Sequence, residues 1–426
     1  MLNSFIYPKT IALIGATDRK NSVGLAMAQN LLKSKAKVFF VNLNRKKVFG
    51  KKAYANVSDI KQEIDLAIIA VPANAVPLVA ENCVSKKVKA IIVVSAGFSE
   101  AGDLGKDLEQ RVVSIFKDKV RFLGPNCMGL INTQNGLNAT FGNLMPRKGG
   151  LAFLSQSGAL INAVIGAGLN KKGSGFSLMV SLGNSADLDV CDFLEFLKDD
   201  PNTKAIALYL ENIKHGKRFI EIAKAVSYQK PIVILKGGKT EKGIKTALSH
   251  TGGLSTEKEI YSAAFKKAGI CEVETLTELF ETALALSYWP KGFSGKIGII
   301  TNGGALGVLG ADYCEQLSVE VAFVSDIVGT ATHKDYEKAV REALSKNEIG
   351  AVLVAQTQQA MTCPIKNAGV IKKIKKEFPT KPIVACFAGS NEGADFLQVA
   401  GIPCVAEIWL ACLLIKVLKQ RYSLIQ

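Results

Sequence analysis

The sequence predicts an α/β protein made of three doubly wound units in series. Short apolar runs alternate with amphipathic helical stretches along the chain, which is the pattern of a parallel sheet wrapped by helices. The alternation stops and restarts after FGNLMPRKGG and again after YWPKGFSGK, where Pro and Gly cluster. The 426 residues also exceed what one hydrophobic core serves. Units are therefore expected at 1–148, 149–292 and 293–426.

In the first unit TIALIGA, KVFFVN, DLAIIAV, KAIIVVSAG and VRFLG read as strands, and LAMAQNLLKS reads as the first helix. In the second unit the strands are LAFLSQ, FSLMVSLG, KAIALYLE and PIVILK, and in the third KIGIITN, AVLVAQ and PIVACFAG. Each run is bounded by turn residues. Ligands of open parallel sheets bind at the carboxyl ends of the strands, so the strand-to-loop junctions are where chemistry is sought.

Composition narrows the class. Hydrophobic residues make up 48% and charged residues 21%, which is ordinary for a globular chain. The apolar stretches are too short to span a membrane, and no signal peptide precedes the first strand. Nine cysteines are scattered without a CxxC or Cys/His spacing. That suggests reduced thiols in a cytoplasm and no metal site. The net charge of +16 suits an anionic partner. The lysines are dispersed, and the run 372–376 reads as a solvated helix face. No aromatic-rich nucleic-acid motif accompanies them, so phosphorylated small molecules fit better than nucleic acid.

Four junctions of the first unit point to a ligand crevice. In IALIGATDRKNSVGLA, Gly15 permits a sharp turn, and Ser22, Val23 and Gly24 stand at a helix entrance, where free amides and the dipole favour phosphate. Val71 and Pro72 end the third strand, and Ser95, Ala96 and Gly97 end the fourth. Asn126, in GPNCMGLIN, follows the fifth. The basic run Arg45 to Lys47 stands after the second strand, within reach of a terminal phosphate. The second unit repeats the logic: Ser155, Gln156, Ser157 and Gly158 form a polar turn before a helix. Ser157 can cap that helix, and the amides around Gly158 can hold an anion.

Glu211 ends an otherwise apolar strand. A carboxylate there needs either a task or a partner, and Lys214 and Lys217 are the candidate partners. His250 sits in LSHTGG, one of only three histidines, with Gly252 and Gly253 close behind. No metal spacing links it to His215 or His333, and no GxSxG elbow accompanies it. A nucleophilic imidazole needs room to be approached, amides to hold a transferred phosphate and a carboxylate to orient the ring. The glycines, the turn at Ser155 to Gly158 and Glu211 supply these.

Together GATDRKNSVG, SAGFSEAG, GPNCMGLIN, SQSGAL, LYLENIKHGKRF and LKGGKTEKGIKTALSHTGG resemble the alpha portion of the NDP-forming acyl-CoA synthetases. Among these the chain is most similar to the ADP-forming acetate–CoA ligases, relatives of succinyl-CoA synthetase. The resemblance implies an N-terminal Rossmann-like CoA-binding domain followed by two flavodoxin-like domains. It implies the reaction acyl-CoA + ADP + phosphate ⇌ acid + CoA + ATP, through an acyl phosphate and a phosphohistidine. His250 falls on the phosphorylated histidine and Glu211 on the glutamate that steadies it. Ser155, Ser157, Gly158 and Gly252 are implied to hold phosphate. Gly15, Ser22, Val23, Gly24, Lys46, Val71, Pro72, Ser95, Ala96, Gly97 and Asn126 are implied to hold CoA. ADP or ATP and Mg²⁺ belong to an ATP-grasp beta subunit, in a heteromer of α2β2 type.

Three departures stand out. Leu43 and Asn44 occupy the places of a Pro and a Lys in the family's VNPK, which points to Arg45 or Lys46 as the replacement cation. The third domain is shortened between ITNGGALGV and DIVGTA. The ATP-grasp portion is absent before Gln426 and is expected on another polypeptide. Two other functions compete with this one: an NAD-dependent dehydrogenase and a catalytically silent CoA-binding regulatory module. The first would need GxGxxG and an acidic residue after the second strand, where residues 42–47 carry none. The second can lose the histidine, which this chain keeps, while the shortened third domain leaves that alternative open.

Overall fold

The computed structural model describes residues 2–166, 173–243 and 258–426. Among the described residues three sheets form, in two compact units. One unit holds the first sheet and most of the second, and the other holds the third.

The first sheet contains β1 (Thr10–Ile14), β2 (Lys37–Val41), β3 (Lys47–Val48), β4 (Lys51–Tyr54), β5 (Leu66–Ile69), β6 (Ala90–Val93) and β7 (Arg121–Leu123). Their order is β3-β4-β2-β1-β5-β6-β7, parallel throughout except for the β3–β4 pair. Inward residues such as Ile14, Ile69, Ile91 and Val93 pack against Ala80, Cys83, Val112 and Phe116 of two covering helices. Each such aliphatic side chain contributes roughly 1.5–3 kcal/mol on full burial. β1 lies between β2 and β5, so the winding reverses there, and a crevice opens at its carboxyl end.

The second sheet adds β8 (Gly129–Asn132), β9 (Leu137–Thr140), β10 (Lys148–Ser155), β11 (Phe176–Ser181), β12 (Ala205–Leu210), β13 (Ile232–Lys236) and β14 (Cys271–Val273). The order is β14-β13-β12-β10-β11-β8-β9. β10 is parallel to both neighbours, while β8 and β9 extend the sheet antiparallel beyond β11. β8 and β9 thus belong to the second sheet although they precede residue 148.

The third sheet runs β16 (Val321–Asp326), β15 (Lys296–Thr301), β17 (Ile349–Thr357), β18 (Ile383–Ala388) and β19 (Cys404–Val405), all parallel. Counted from its first strand, the order is 2-1-3-4-5, the flavodoxin order. Apart from β8 and β9, the second sheet has the same strand order, with β10 as its first strand. The α/β class and the doubly wound sheets read from the alternation are thus observed. Among the described residues no helix is long and apolar enough to cross a membrane.

Candidate functional site

The carboxyl ends of the first sheet open into a cleft of about 1550 Å³. Gly15, Ser22, Val23, Gly24, Val71, Pro72, Ser95, Ala96 and Asn126 all line it. Gly15 follows β1 with φ +94°, and a Cβ there would overlap the Ala70 carbonyl oxygen. A Cβ on Gly24 would in turn overlap the Gly15 carbonyl oxygen. The two glycines therefore let the turn and the helix Val23–Leu31 close against β1 and β5. The Ser22 hydroxyl caps that helix, accepting from the Leu25 N–H at 3.3 Å and donating to the Arg19 carbonyl at 2.7 Å. The remaining first-turn amides have no intrahelical carbonyl to bind, which suits an anionic group at this end of the cleft.

The opposite wall comes from the second sheet. Gln156, Ser157 and Gly158, after β10, line the same cleft, as does Glu211 after β12. Ser157 caps the helix Gly158–Gly166, its hydroxyl accepting from the Leu160 N–H at 3.3 Å. Gln156 was not singled out as a site residue, yet it joins the two parts of this wall. Its Oε1 accepts from the N–H groups of Glu211 (2.6 Å) and Asn212 (2.9 Å), and its Nε2 donates to the Asn212 carbonyl at 2.9 Å. The Gln156 side chain thereby fixes the phosphate-type turn against the strand end that carries the carboxylate. In sequence it is one polar residue in a short turn, and its partners lie 55 and 56 residues away.

Neither of the lysines proposed as a partner pairs with Glu211. Its Oε1 accepts from the Tyr209 hydroxyl at 3.1 Å. Burial, and then the Glu211 charge, push the Tyr209 phenol up to about 12, so it stays a donor at neutral pH. Lys214 instead donates to the carbonyls of Asn184 (2.8 Å) and Ser185 (3.0 Å). Lys236, at the end of β13, is 4% exposed and donates to the Glu211 carbonyl at 2.7 Å. Its ammonium lies 4.5 Å from the Tyr261 ring centroid. Burial lowers its pKa to about 8, although the Glu211 charge opposes that shift. Gly237 follows directly; a Cβ there would press on the Tyr209 hydroxyl and approach Glu211. The chain leaving β13 at Gly237 therefore starts against the Tyr209 and Glu211 side chains.

Asn184 fastens the two walls together. Its Nδ2 donates to Glu100 Oε2 at 2.6 Å and Glu109 Oε2 at 2.8 Å, and its N–H donates to the Pro125 carbonyl at 3.0 Å. Burial would raise the Glu100 carboxyl, but hydrogen bonds from Asn184 and from the Gly97 and Phe98 amides outweigh it and hold it below the ordinary value. Arg121 and Asp187 add an ion pair at 2.7 Å between the same parts of the fold.

Several expected site residues lie elsewhere. Lys46 is exposed and off the cleft wall: its carbonyl accepts from the Ala53 N–H in the β3–β4 hairpin, and Arg45 lines the cleft beside Asp18, its ion-pair partner. Gly97 does not line the cleft either; its N–H donates to Glu100 at 2.6 Å. Ser155 is fully buried behind the turn, donating to the Ser157 carbonyl at 2.8 Å and accepting from the Ser157 N–H at 3.0 Å. His250 and Gly252 lie outside the described residues. Cys127 also borders the cleft, but burial pushes its thiol up to about 12, which leaves it without thiolate character.

Comparison with known proteins agrees with this geometry. Residues 9–133 match the CoA binding domain family, and residues 148–286 match the succinyl-CoA ligase like flavodoxin domain family. The chain is 39% identical to the acetate–CoA ligase [ADP-forming] I subunit alpha of Pyrococcus furiosus, over 95% of this chain and 94% of that protein. It is 42% identical to the acetate–CoA ligase [ADP-forming] of Methanocaldococcus jannaschii, covering 93% of this chain but only 60% of that longer protein. A solved structure of the dinucleotide-forming acetyl-coenzyme A synthetase 1 of Ca. Korarchaeum cryptofilum, in complex with phosphate and ADP, superposes with a TM-score of 0.93 at 32% identity. It covers 100% of this chain and 98% of that one.

Proposed function

Because the chain belongs to the family of ADP-forming acetate–CoA ligase alpha subunits, we propose that it is the CoA-binding, phosphohistidine-carrying subunit of an ADP-forming acyl-CoA synthetase. The observation that carries this reading is the cleft itself. It brings a capped helix entrance from the first sheet to face a second one, from Ser157, with Glu211 beside it.

The chemistry follows from that arrangement. CoA lies along the first wall, with its phosphates toward Ser22 to Gly24 and Arg45. Inorganic phosphate is held at the first-turn amides of the helix that starts at Gly158, since the Ser157 N–H is already donated to Ser155. A phosphate oxygen attacks the thioester carbonyl carbon; a C–O bond forms, the C–S bond breaks, and CoA leaves as its thiolate. The acyl phosphate then gives its phosphoryl group to an imidazole nitrogen of His250, and the carboxylic acid departs. Glu211 orients the ring and favours its cationic form. ADP accepts the phosphoryl group from His250 in a second transfer. The covalent intermediate divides one transfer between separate sites into two shorter ones, and fixed amides and charges do most of the work.

The nucleotide and its Mg²⁺ belong, on this proposal, to an ATP-grasp beta subunit, in a heteromer of α2β2 type acting in the cytoplasm. Two relatives named as alpha subunits, each covered over 94% of its length, support this division of labour. Calorimetric titration of the full chain tests the first wall. CoA should give a saturable heat and NAD none. Tight NAD binding without a CoA heat would overturn the proposal in favour of a dehydrogenase.

A further inference from the structure

Beyond Gly158 the cleft has an end. Helix residues Gly158, Ala159 and Asn162 line the wall there, since positions one turn apart share a helix face. Across from them stand Met128 and Phe141, which flank the paired residues Gly129 and Thr140 of β8 and β9. Gly142 packs behind them, off the cleft wall: a Cβ on it would press against the Asn162 Oδ1 and the Met128 Cε. Asn30, itself buried, fixes this corner by donating from Nδ2 to the carbonyls of Thr140 (2.9 Å) and Gly142 (2.6 Å). Met128 is 1% exposed and Phe141 36%, so Met128 is the buried part of the boundary and Phe141 the solvent-facing part.

We propose that Met128, Phe141, Gly142 and Asn162 form the acyl pocket, with Asn162 donating its amide to the acyl carbonyl oxygen and the other three limiting the length of the acyl chain. The assignment rests on the acyl-CoA synthetase reading above. If phosphate sits at the first-turn amides of the helix that starts at Gly158, the carbon it attacks lies beside them, and the acyl tail must point along the helix toward Asn162. A pocket whose Met128 and Asn162 walls are backed by Gly142 takes a short acyl group. A branched or aryl group would have to displace Phe141.

Two substitutions should move the preference in opposite directions. Phe141→Ala opens the end of the cleft. Gly142→Ala drives the Asn162 and Met128 side-chain tips inward, and because Gly142 is not at positive φ, the backbone accepts alanine. The measurement is kcat/KM for acetyl-, butyryl- and phenylacetyl-CoA, with phosphate and ADP, in the complex with the ATP-grasp subunit. Phe141→Ala should raise the butyryl-to-acetyl ratio about tenfold, and Gly142→Ala should lower it by a similar factor, the scale of one or two methylenes in a pocket. Asn162→Ala should lower kcat/KM for every acyl-CoA by about a hundredfold, as loss of a donor to a developing oxyanion does, while the Kd for free CoA stays unchanged. Unmoved ratios in both ratio variants, with an active wild-type complex, would overturn the pocket and leave the synthetase reading standing. A wild-type complex inactive on all three thioesters would overturn both.

Discussion

A complex carrying His250→Ala is expected to lose acyl-CoA-dependent ATP synthesis by at least about a thousandfold, the scale seen when a nucleophile that forms a covalent intermediate is removed. The same variant should bind CoA with unchanged affinity, because the residues of the first wall lie between Ile14 and Met128. The contrast separates two explanations: a residue needed only for folding would lower both. Glu211→Gln should have a smaller effect. It keeps the Tyr209 hydrogen bond and, through its unaltered backbone, the contacts with Gln156 and Lys236, but removes the charge. The phosphorylated state should be destabilised roughly tenfold, because the charge that favours the cationic ring is gone. Single-turnover phosphorylation of both variants, with calorimetry for CoA, checks each expectation.

The second large effect is expected at the glycines of the first wall. Gly24→Ala places a methyl group against the Gly15 carbonyl oxygen, which is backbone and cannot rotate away. The helix Val23–Leu31 must then shift from its place over the turn. A stability loss of about 1–3 kcal/mol, the usual cost of overpacking, is expected, along with loss of measurable CoA binding. Gly15→Ala adds the strain of a non-glycine residue at φ +94° and should cost more. Ser22→Ala removes only the helix cap and should cost about 1 kcal/mol, with CoA binding weakened and the fold retained. Denaturant unfolding of each variant gives the stability change, and CoA titration gives the binding change. Normal CoA affinity in a folded Gly24→Ala chain would show that the amides at this helix entrance do not hold the ligand.

What was legible in the sequence depended on range. The strands and their carboxyl-end loops showed plainly, because period and turn chemistry are local properties. Gly15, Ser22 and Gly24 were found for the same reason: a strand, a sharp turn and a capped helix are written within sixteen residues. The fastening roles of Gln156 and Asn184 did not show, because their partners are distant. One fastens Ser157 to Glu211, and the other reaches Glu100 and Glu109. The basic run after β2 named the right neighbourhood but not the residue. Pairing in the β3–β4 hairpin turns the Lys46 backbone toward Ala53, and Arg45 is left on the cleft wall. Ser155 and Gly97 sit at the right strand ends, yet one is spent on the turn's own hydrogen bonds and the other on Glu100. The strands β8 and β9 follow the first sheet in sequence and join the second. An antiparallel pair can be added to either sheet's edge, and local pattern does not choose between them.

On this proposal His250 carries the phosphoryl group between the cleft and the nucleotide, and phosphate trapping reads that step. The full chain, combined with its ATP-grasp subunit and ATP labelled at the γ-phosphate, should yield a phosphoprotein that is acid-labile and base-stable. The label should map to a peptide containing Ser249, His250 and Thr251, and adding CoA with acetate should discharge it. Acid-stable label on Ser249 or Thr251, or no label in a complex that still makes ATP from acyl-CoA, would contradict the account.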